Sequence, residues 1–182
     1  MRRVVVVGNS GSGKSSLADV LAERLGVPHV ELDAHFHQVG WTPTPTPTFR
    51  ASVRAVLDLA DASADGWVVC GNYGPVRSTV WTRADTIVWL DLPRWVVMGR
   101  VTRRTLGRAL RREELWNGNH EVMSQVVALH DPERSILRWA WDGVAGYRRQ
   151  YVPLMASTAW ADLRWHRLCS ADAVASWLAD VS

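Results

Sequence analysis

Gly8-Asn9-Ser10-Gly11-Ser12-Gly13-Lys14-Ser15 is the stretch that decides the fold of this chain, because it matches the phosphate-binding pattern G-x-x-x-x-G-K-[S/T]. The β-branched run of residues 2–7 before it predicts a parallel strand that is buried on both faces. After the lysine, leucine and valine recur at helical spacing until Gly26 and Pro28, which predict the end of a helix. A strand, a glycine loop and a helix in this order predict that residues 8–15 bind the phosphates of a nucleoside triphosphate.

Each residue type in this glycine loop has a chemical purpose. Glycine lets the backbone turn its N–H groups inward, and the following helix directs its partial positive end toward the same anion. Lys14 is predicted to reach the β- and γ-phosphates, and the Ser15 hydroxyl to hold Mg²⁺, with Ser16 the weaker metal candidate. The predicted nucleotide-binding residues are Gly8, Asn9, Ser10, Gly11, Ser12, Gly13, Lys14, Ser15 and Ser16.

Length and composition favour a single domain over residues 1–182, with a full-sized core. The net charge of +3 comes from arginine, since Lys14 is the only lysine. Cys70 and Cys169 are predicted to be core thiols in a reducing compartment. Without an apolar span or a signal peptide, we expect a cytoplasmic protein with no membrane partner. Six tryptophans are also predicted to face the core: Trp81, Trp89, Trp95, Trp139, Trp141 and Trp177.

Four further apolar segments predict strands, at residues 28–33, 67–71, 85–91 and 163–169. Helices are predicted at residues 50–61, in the arginine-rich stretch after Pro93, at 135–151 and at 171–178. The Thr-Pro run of residues 42–48 predicts an extended, stiff connector. Alternating strands and helices predict a parallel sheet covered on both faces, with ligands at the carboxyl ends of its strands.

Asp33 is the first candidate for a carboxylate on the acceptor side, because it ends the predicted second strand. There it could accept a proton from an acceptor hydroxyl or bind Mg²⁺ through water, and the alternative is a helix cap or a solvated loop residue. His35 and His37 follow closely, and they either line the acceptor pocket or lie in its loop. A lone His-x-His pair is weak evidence for a metal.

Two other polar residues follow predicted strands. Asp91 resembles a second magnesium-binding aspartate, but the Leu92-Pro93 pair after it also fits a strand-to-helix cap. Asn72 could bind a phosphate-coordinated water or the acceptor. It lacks the charge of the acid that many phosphate-loop enzymes carry at this strand end.

Arginines recur four residues apart at Arg100, Arg104 and Arg108. Like charges at this spacing repel each other on an isolated helix, but an anion nearby reverses that effect. Guanidinium groups suit the charge that spreads over a phosphoryl group in transfer, which favours a segment that closes over the nucleotide. The alternative is a solvated helix face partnered by Glu113 and Glu114.

The chain resembles the adenylate kinase and shikimate kinase group of small P-loop kinases. Four features carry this resemblance: the glycine loop, Asp33, the arginine-rich segment and residues 147–154. Residues 32–37, 40–41, 71–73 and 115–119 are most similar to the branch described as adenylate kinase-like or DNA topology modulation protein. The resemblance implies the three-layer αβα P-loop NTPase fold, with a five-stranded parallel sheet of order 2-3-1-4-5. It also implies an acceptor-side insertion near residues 34–66 and an arginine-rich lid near 100–120.

The same resemblance implies ATP as donor, Mg²⁺ as cofactor and a small acceptor, which a nucleotide would satisfy. It assigns Arg104 and Arg108 to the lid and Arg138 to a phosphate contact. The Thr-Pro loop stands where adenylate kinases bind AMP, and Cys70 stands where the branch often has aspartate.

The leading interpretation is therefore a kinase that passes the γ-phosphoryl group of MgATP to a small molecule. Arg50, Arg54 and Arg77 either hold an anionic acceptor or are solvated surface residues. The alternative is a nucleic-acid-associated protein regulated by nucleotide, although no named nucleic-acid motif is present. A GTPase is disfavoured because no Asn-Lys-x-Asp segment occurs.

Overall fold

The computed structural model describes residues 1–111, 114–120 and 135–181. Five strands form one fully parallel sheet in the order β2-β3-β1-β4-β5. The strands are β1 (Arg3–Gly8), β2 (His29–Glu31), β3 (Trp67–Cys70), β4 (Thr86–Leu90) and β5 (Arg164–Leu168). The predicted sheet order is confirmed.

Helices alternate with these strands. They are α1 (Lys14–Leu25), α2 (Leu32–Phe36), α3 (Thr46–Ser63), α4 (Arg77–Trp81), α5 (Arg94–Arg111), α6 (Ile136–Met155) and α7 (Ala171–Ala179). Short 3₁₀ turns lie at Val39–Trp41, Gly74–Val76, Trp116–Gly118 and Thr158–Trp160. In the described part of the chain, no helix is long and apolar enough to cross a lipid bilayer.

The central strand β1 explains why the chain forms three layers. Val5 and Val7 pack into a core with residues of α3, α4 and α6, while Val4 and Val6 face the opposite core beneath α1. Because both faces are buried, β1 is a continuous run of valine rather than an alternating pattern. Helix α5 packs beside α6, where Val97 joins a third, smaller cluster.

The register of the sheet brings three strand ends together. Val6 of β1 and Glu31 of β2 both pair with Cys70 of β3. The glycine loop therefore begins beside the carboxyl ends of β2 and β3. This is the edge at which open parallel sheets bind ligands.

Two predicted boundaries are wrong. Strand β2 ends at Glu31 rather than at Asp33, which lies in the first turn of α2. The turn comes early because Leu32 is buried against Gly71, where an added Cβ would lie 2.8 Å from the Leu32 Cβ. Helix α3 already begins at Thr46, inside the predicted connector, because Pro47 in the first turn loses no intrahelical hydrogen bond.

Some predictions of burial are also wrong. Trp95 of α5 is 78% exposed, Trp141 of α6 is 48% exposed, and Trp139 of α6 is 43% exposed where it borders the cavity described below. Cys169 is exposed, since β5 ends before it at Leu168 at the edge of the sheet. Cys70 is buried as predicted.

Candidate functional site

A cavity of about 1140 Å³ lies at the carboxyl edge of the sheet and gathers most of the predicted site residues. The glycine loop forms one side of it, and helix α5 and the loop after β2 form others. Predicted residues that line it are Ser10, Gly11, Ser12, Gly13, Lys14, Ser15, Ser16, Asp33, Arg104 and Arg108. Gly8, Asn9 and Arg138 are not among the lining residues.

The backbone of the glycine loop approaches helix α5 too closely for a side chain at Gly11. This residue has φ +78°, and an added Cβ would lie 2.8 Å from the Val97 carbonyl oxygen and 2.9 Å from the Val101 Cβ. Gly13, with φ +94°, forms the left-handed N-cap of α1. The first N–H groups of a helix have no intrahelical acceptor, so α1 presents donors at the cavity.

Asn9 fastens the loop to α6 instead of facing the cavity. Its side chain donates to the Ala140 carbonyl at 2.5 Å and accepts from the Ser10 amide at 2.8 Å. An added Cβ on Gly143 would lie 2.7 Å from Asn9 Oδ1. The bare helix surface at Gly143 thus makes room for the side chain that shapes the loop.

Lys14 is held inside the loop. Its Nζ donates to the Asn9 carbonyl at 3.1 Å, and it lines the cavity. Burial lowers the pKa of this amine, while the Asp33 carboxylate acts in the opposite direction. A cation in this place gains electrostatic energy when an anion enters the cavity.

Sequence reasoning missed Glu31, which is hydrogen-bonded to Ser15, the predicted metal ligand. Glu31 Oε1 accepts from the Ser15 hydroxyl at 2.6 Å, and Oε2 accepts from the Trp116 indole at 2.8 Å. The available signal is the pair of acids at positions 31 and 33, of which Glu31 ends the short strand β2 and Asp33 follows it. The prediction gave weight only to the second of them.

Cys70 lies close to the Glu31 carboxylate. Its Sγ is 3.8 Å from both Ser15 Oγ and Glu31 Oε1. Burial, reinforced by the Glu31 charge, raises the pKa of this thiol to about 12. Cys70 is therefore a neutral thiol at physiological pH, and the carboxylate at this point comes from β2 instead of β3.

Asp33, Tyr73 and His37 lie together in the lining of the cavity. The Tyr73 hydroxyl donates to Asp33 Oδ1 at 2.5 Å and lies 3.3 Å from His37 Nε2. Burial and the Asp33 charge raise the pKa of Tyr73, so the phenol stays protonated and keeps donating. Burial lowers the pKa of His37, which favours the neutral ring.

Of the two predicted acceptor-side histidines, only His37 lines the cavity. His35 turns toward α3, where its Nδ1 lies 2.8 Å from the Ser52 hydroxyl. Across the described ranges, no three His, Cys, Asp or Glu side chains are grouped so that they could hold a metal ion.

Two arginines of α5 contact the glycine loop. Arg104 donates to the Ser10 hydroxyl at 2.9 Å, and Arg100 donates to the Ser12 carbonyl at 3.3 Å. Both line the cavity together with Arg108. Glu113, one of the proposed partners of a solvated face, lies outside the described residues.

Asp91 does not face the cavity. It is 4% exposed and is held by Arg148 Nε at 2.7 Å and by Arg167 Nε at 2.9 Å. Asn72 lines the cavity, but its Oδ1 already accepts from the Gly8 amide at 3.0 Å and from the Tyr151 hydroxyl at 3.1 Å. Both residues hold strand ends in place, so the magnesium interpretation of Asp91 is not supported.

The remaining predicted arginines lie away from the cavity. Arg138 pairs with Asp142 at 2.8 Å on an exposed face of α6. Arg50 donates to the Pro75 carbonyl, and Arg77 lies 5.3 Å from the ring centre of Trp81. With Arg54 exposed as well, none of these four lines the cavity.

No protein-family model matches this sequence. A shikimate kinase from Gloeobacter violaceus is 33% identical over 105 residues, which is 53% of this chain and 59% of the relative. The chain thus spans well under two thirds of the length of the curated relative that it matches.

Solved structures extend the similarity to nearly the whole chain. Shikimate kinase from Acinetobacter baumannii in complex with shikimate superposes with a TM-score of 0.53 at 17% identity, covering 100% of this chain and 90% of the other. Shikimate kinase from Bacteroides thetaiotaomicron gives 0.50 at 14% identity, covering 98% and 94%. The three-layer α/β fold with its parallel sheet of order 2-3-1-4-5 is that of the shikimate kinases.

Proposed function

We propose that this protein is an ATP-dependent phosphotransferase that passes the γ-phosphoryl group of MgATP to a hydroxyl group of a small molecule. The observation that carries the proposal is that Lys14 of the glycine loop and Asp33 line one cavity. A triphosphate grip and a carboxylate that can accept a proton are the two parts that such a reaction needs. The local similarity to a shikimate kinase supports the same class of reaction.

The side of the cavity formed by the glycine loop would bind the triphosphate of ATP, the phosphoryl donor. Loop residues 10–16, which line the cavity, and the N-terminus of α1 would hold the phosphates, with Lys14 at the β- and γ-phosphates. Arg104 and Arg108 would meet the charge that spreads over the moving phosphoryl group. Arg104 already donates a hydrogen bond to the Ser10 hydroxyl, which places its guanidinium group at the glycine loop.

On the acceptor side, Asp33 would take the proton of the attacking hydroxyl. The hydroxyl oxygen forms the new bond to phosphorus while the bond from phosphorus to the β–γ bridging oxygen breaks, and ADP leaves. Tyr73 donates to one Asp33 oxygen and so orients the carboxylate. The second oxygen is the group that would receive the proton.

The residues present fit Mg²⁺, which prefers oxygen ligands and keeps several waters when it binds phosphates. Ser15 would hold the ion directly, and Glu31, which accepts from the Ser15 hydroxyl, and Asp33, which lines the same cavity, would orient its waters. When bound, the ion neutralises charge on the phosphates. The neutral Cys70 thiol is a soft, weak ligand and adds nothing to such a site.

An acceptor screen tests the proposal. Purified protein with MgATP is incubated with pooled hydroxylated metabolites and nucleosides, and phosphorylated products are detected by ³¹P NMR alongside ADP formation. We expect product with the wild type, none with Lys14→Ala, and a loss of at least about 100-fold with Asp33→Asn, the size of a general-base contribution. Asp65→Asn is the matched control, because Asp65 is exposed and lies outside the cavity.

One outcome of this screen would contradict the proposal. Transfer no faster than that of Lys14→Ala across all pools would show that the protein is not a small-molecule kinase. Full turnover in Asp33→Asn would remove Asp33 from the mechanism while leaving the kinase activity itself in place.

A further inference from the structure

The acceptor end of the cavity is walled by aromatic rings. The rings that line it beside Asp33 are those of Phe36, His37, Trp41, Tyr73 and Trp116, here called the aromatic wall. Ring centres are 5.2 Å apart for His37 and Trp41 and 6.4 Å apart for Trp41 and Trp116. Packing alone does not require so many rings around one carboxylate.

Two members of the wall do not belong to the core. Phe36 and Tyr73 pack against the cluster beneath α3, but Trp41 and Trp116 join none of the core clusters of the described chain. They come from two loops that are far apart in sequence, the turn Val39–Trp41 and the turn Trp116–Gly118. Their place at the cavity is therefore not explained by burial of apolar surface.

The backbone of Trp41 is strained in order to place its ring there. Its φ is +58°, which is a genuine outlier for a bulky residue. Asn119 holds this conformation, because its Oδ1 accepts from the Trp41 amide at 2.8 Å while its Nδ2 donates to the Gln38 carbonyl at 2.9 Å. Strain that neighbouring residues maintain in this way is typical of binding sites.

The polar atoms of both indoles are already used by the protein. Trp41 Nε1 donates to the His120 carbonyl at 3.1 Å, and Trp116 Nε1 donates to Glu31. What the two indoles offer a ligand is ring surface and not a hydrogen bond. Ring surface recognises flat rings, which gain stacking and dispersion energy there.

Two of the positively charged side chains that line the cavity lie at the glycine loop. Arg100 and Arg104 bond to Ser12 and Ser10, which places their guanidinium groups at the glycine loop.

We propose that the phosphoryl acceptor is a hydroxyl compound with a flat aromatic or heteroaromatic ring, which packs on Trp41 and Trp116 while its hydroxyl group faces Asp33. This inference rests on the proposed kinase function, since it names the class of acceptor. Nucleosides and aromatic alcohols share this chemistry. The carboxylate-bearing, puckered ring of shikimate does not.

Matched pairs of compounds test the inference. Benzyl alcohol is compared with cyclohexylmethanol, and a nucleoside with free ribose, so that only one member of each pair carries a flat ring; shikimate is a fifth compound. Binding is measured by isothermal titration calorimetry with a non-hydrolysable ATP analogue and Mg²⁺ present, and phosphoryl transfer is measured in parallel. We expect the flat member to bind at least about 10-fold more tightly in one pair, and which pair does so identifies the kind of ring.

Variants of Trp41 then test whether its ring causes the preference for the flat-ring compound. Trp41→Leu should abolish the preference for the flat ring, and Trp41→Phe should restore part of it, while the affinity for the ATP analogue is unchanged. Trp95→Leu is the control, because Trp95 is 78% exposed and lies outside the cavity.

Three results overturn the inference, and the first two are equal binding of the two members within both pairs and tighter binding of shikimate than of any flat-ring compound. A preference that Trp41→Leu leaves intact also overturns it. Failure of the proposed function looks different, since then no compound accepts phosphate even where flat rings bind.

Discussion

The indole N–H of Trp116 donates a hydrogen bond of 2.8 Å to Oε2 of Glu31. The other oxygen of this carboxylate accepts from the Ser15 hydroxyl at 2.6 Å. Glu31 is therefore held from both sides, by the turn Trp116–Gly118 and by the first turn of α1. The turn that walls the acceptor end thereby orients the carboxylate nearest to the proposed metal ligand.

Glu31→Gln should weaken Mg²⁺ binding about 10- to 100-fold, because partners of this kind fix the orientation and charge of a metal site. Trp116→Phe keeps the ring and removes only the N–H donor, so a loss toward the lower end of that range is expected. Calorimetric titration of Mg²⁺ into the protein with a non-hydrolysable ATP analogue measures both. Glu23→Gln, at an exposed position of α1, is the control. Unchanged Mg²⁺ affinity in both variants would show that Glu31 is only a structural partner of Ser15.

The sheet and the glycine loop were predictable because their signals are local. A short window of sequence is enough to recognise a run of valines that is buried on both faces, or a glycine loop between a strand and a helix. The strand order followed from the resemblance to a known family. The contact between Glu31 and Trp116 joins residues 85 positions apart, so no local pattern indicates it.

Asp91 shows a different limit of sequence reasoning. An acid at the end of an apolar strand has the same local pattern whether it faces Mg²⁺ or arginine. The choice is made by Arg148 of α6 and Arg167 of β5, which only the tertiary structure brings to Asp91.

Asp91→Asn should lower stability without changing the nucleotide site. Asp91 is 4% exposed but its partners Arg148 and Arg167 are 46% and 38% exposed, so solvent screens part of the interaction. We expect a loss of about 1–3 kcal/mol in the free energy of unfolding. Urea denaturation monitored by circular dichroism measures it.

The same variant decides between the two interpretations of Asp91. If Asp91 is only structural, Asp91→Asn should bind Mg²⁺ in the presence of the ATP analogue with the wild-type affinity. A fall of 10-fold or more in that affinity, with unfolding unchanged, would restore the magnesium interpretation that the ion pairs argue against.

Gly143→Ala should reduce ATP affinity although Gly143 lies on α6, outside the cavity lining. The new Cβ would lie 2.7 Å from Asn9 Oδ1, and Asn9 can give way only by loosening its bonds to Ala140 and Ser10. Because each such bond contributes about 0.5–1.5 kcal/mol, we expect a roughly 10-fold loss of affinity for an ATP analogue.

Gly146→Ala is the matched control three residues further along α6, where an added Cβ meets nothing within 4 Å. Alanine is the better helix former, so this change should raise the free energy of unfolding by up to about 1 kcal/mol and leave ATP affinity unchanged. An equal effect of both substitutions on affinity would mean that α6 acts on the glycine loop through its general packing and not through Asn9.

The two cysteines should react with thiol reagents at very different rates. A thiol reacts as the thiolate, and burial raises the pKa of Cys70 to about 12, so at pH 8 almost all of it stays protonated as well as enclosed. Cys169 is exposed at the end of β5. With Ellman's reagent at pH 8, we expect rapid release from one thiol per chain, loss of this phase in Cys169→Ser, and release from the second thiol only in denaturant. A fast phase that survives in Cys169→Ser and disappears in Cys70→Ser would show that Cys70 is accessible and ionised, which would contradict its place as a neutral thiol beside Glu31 and Ser15.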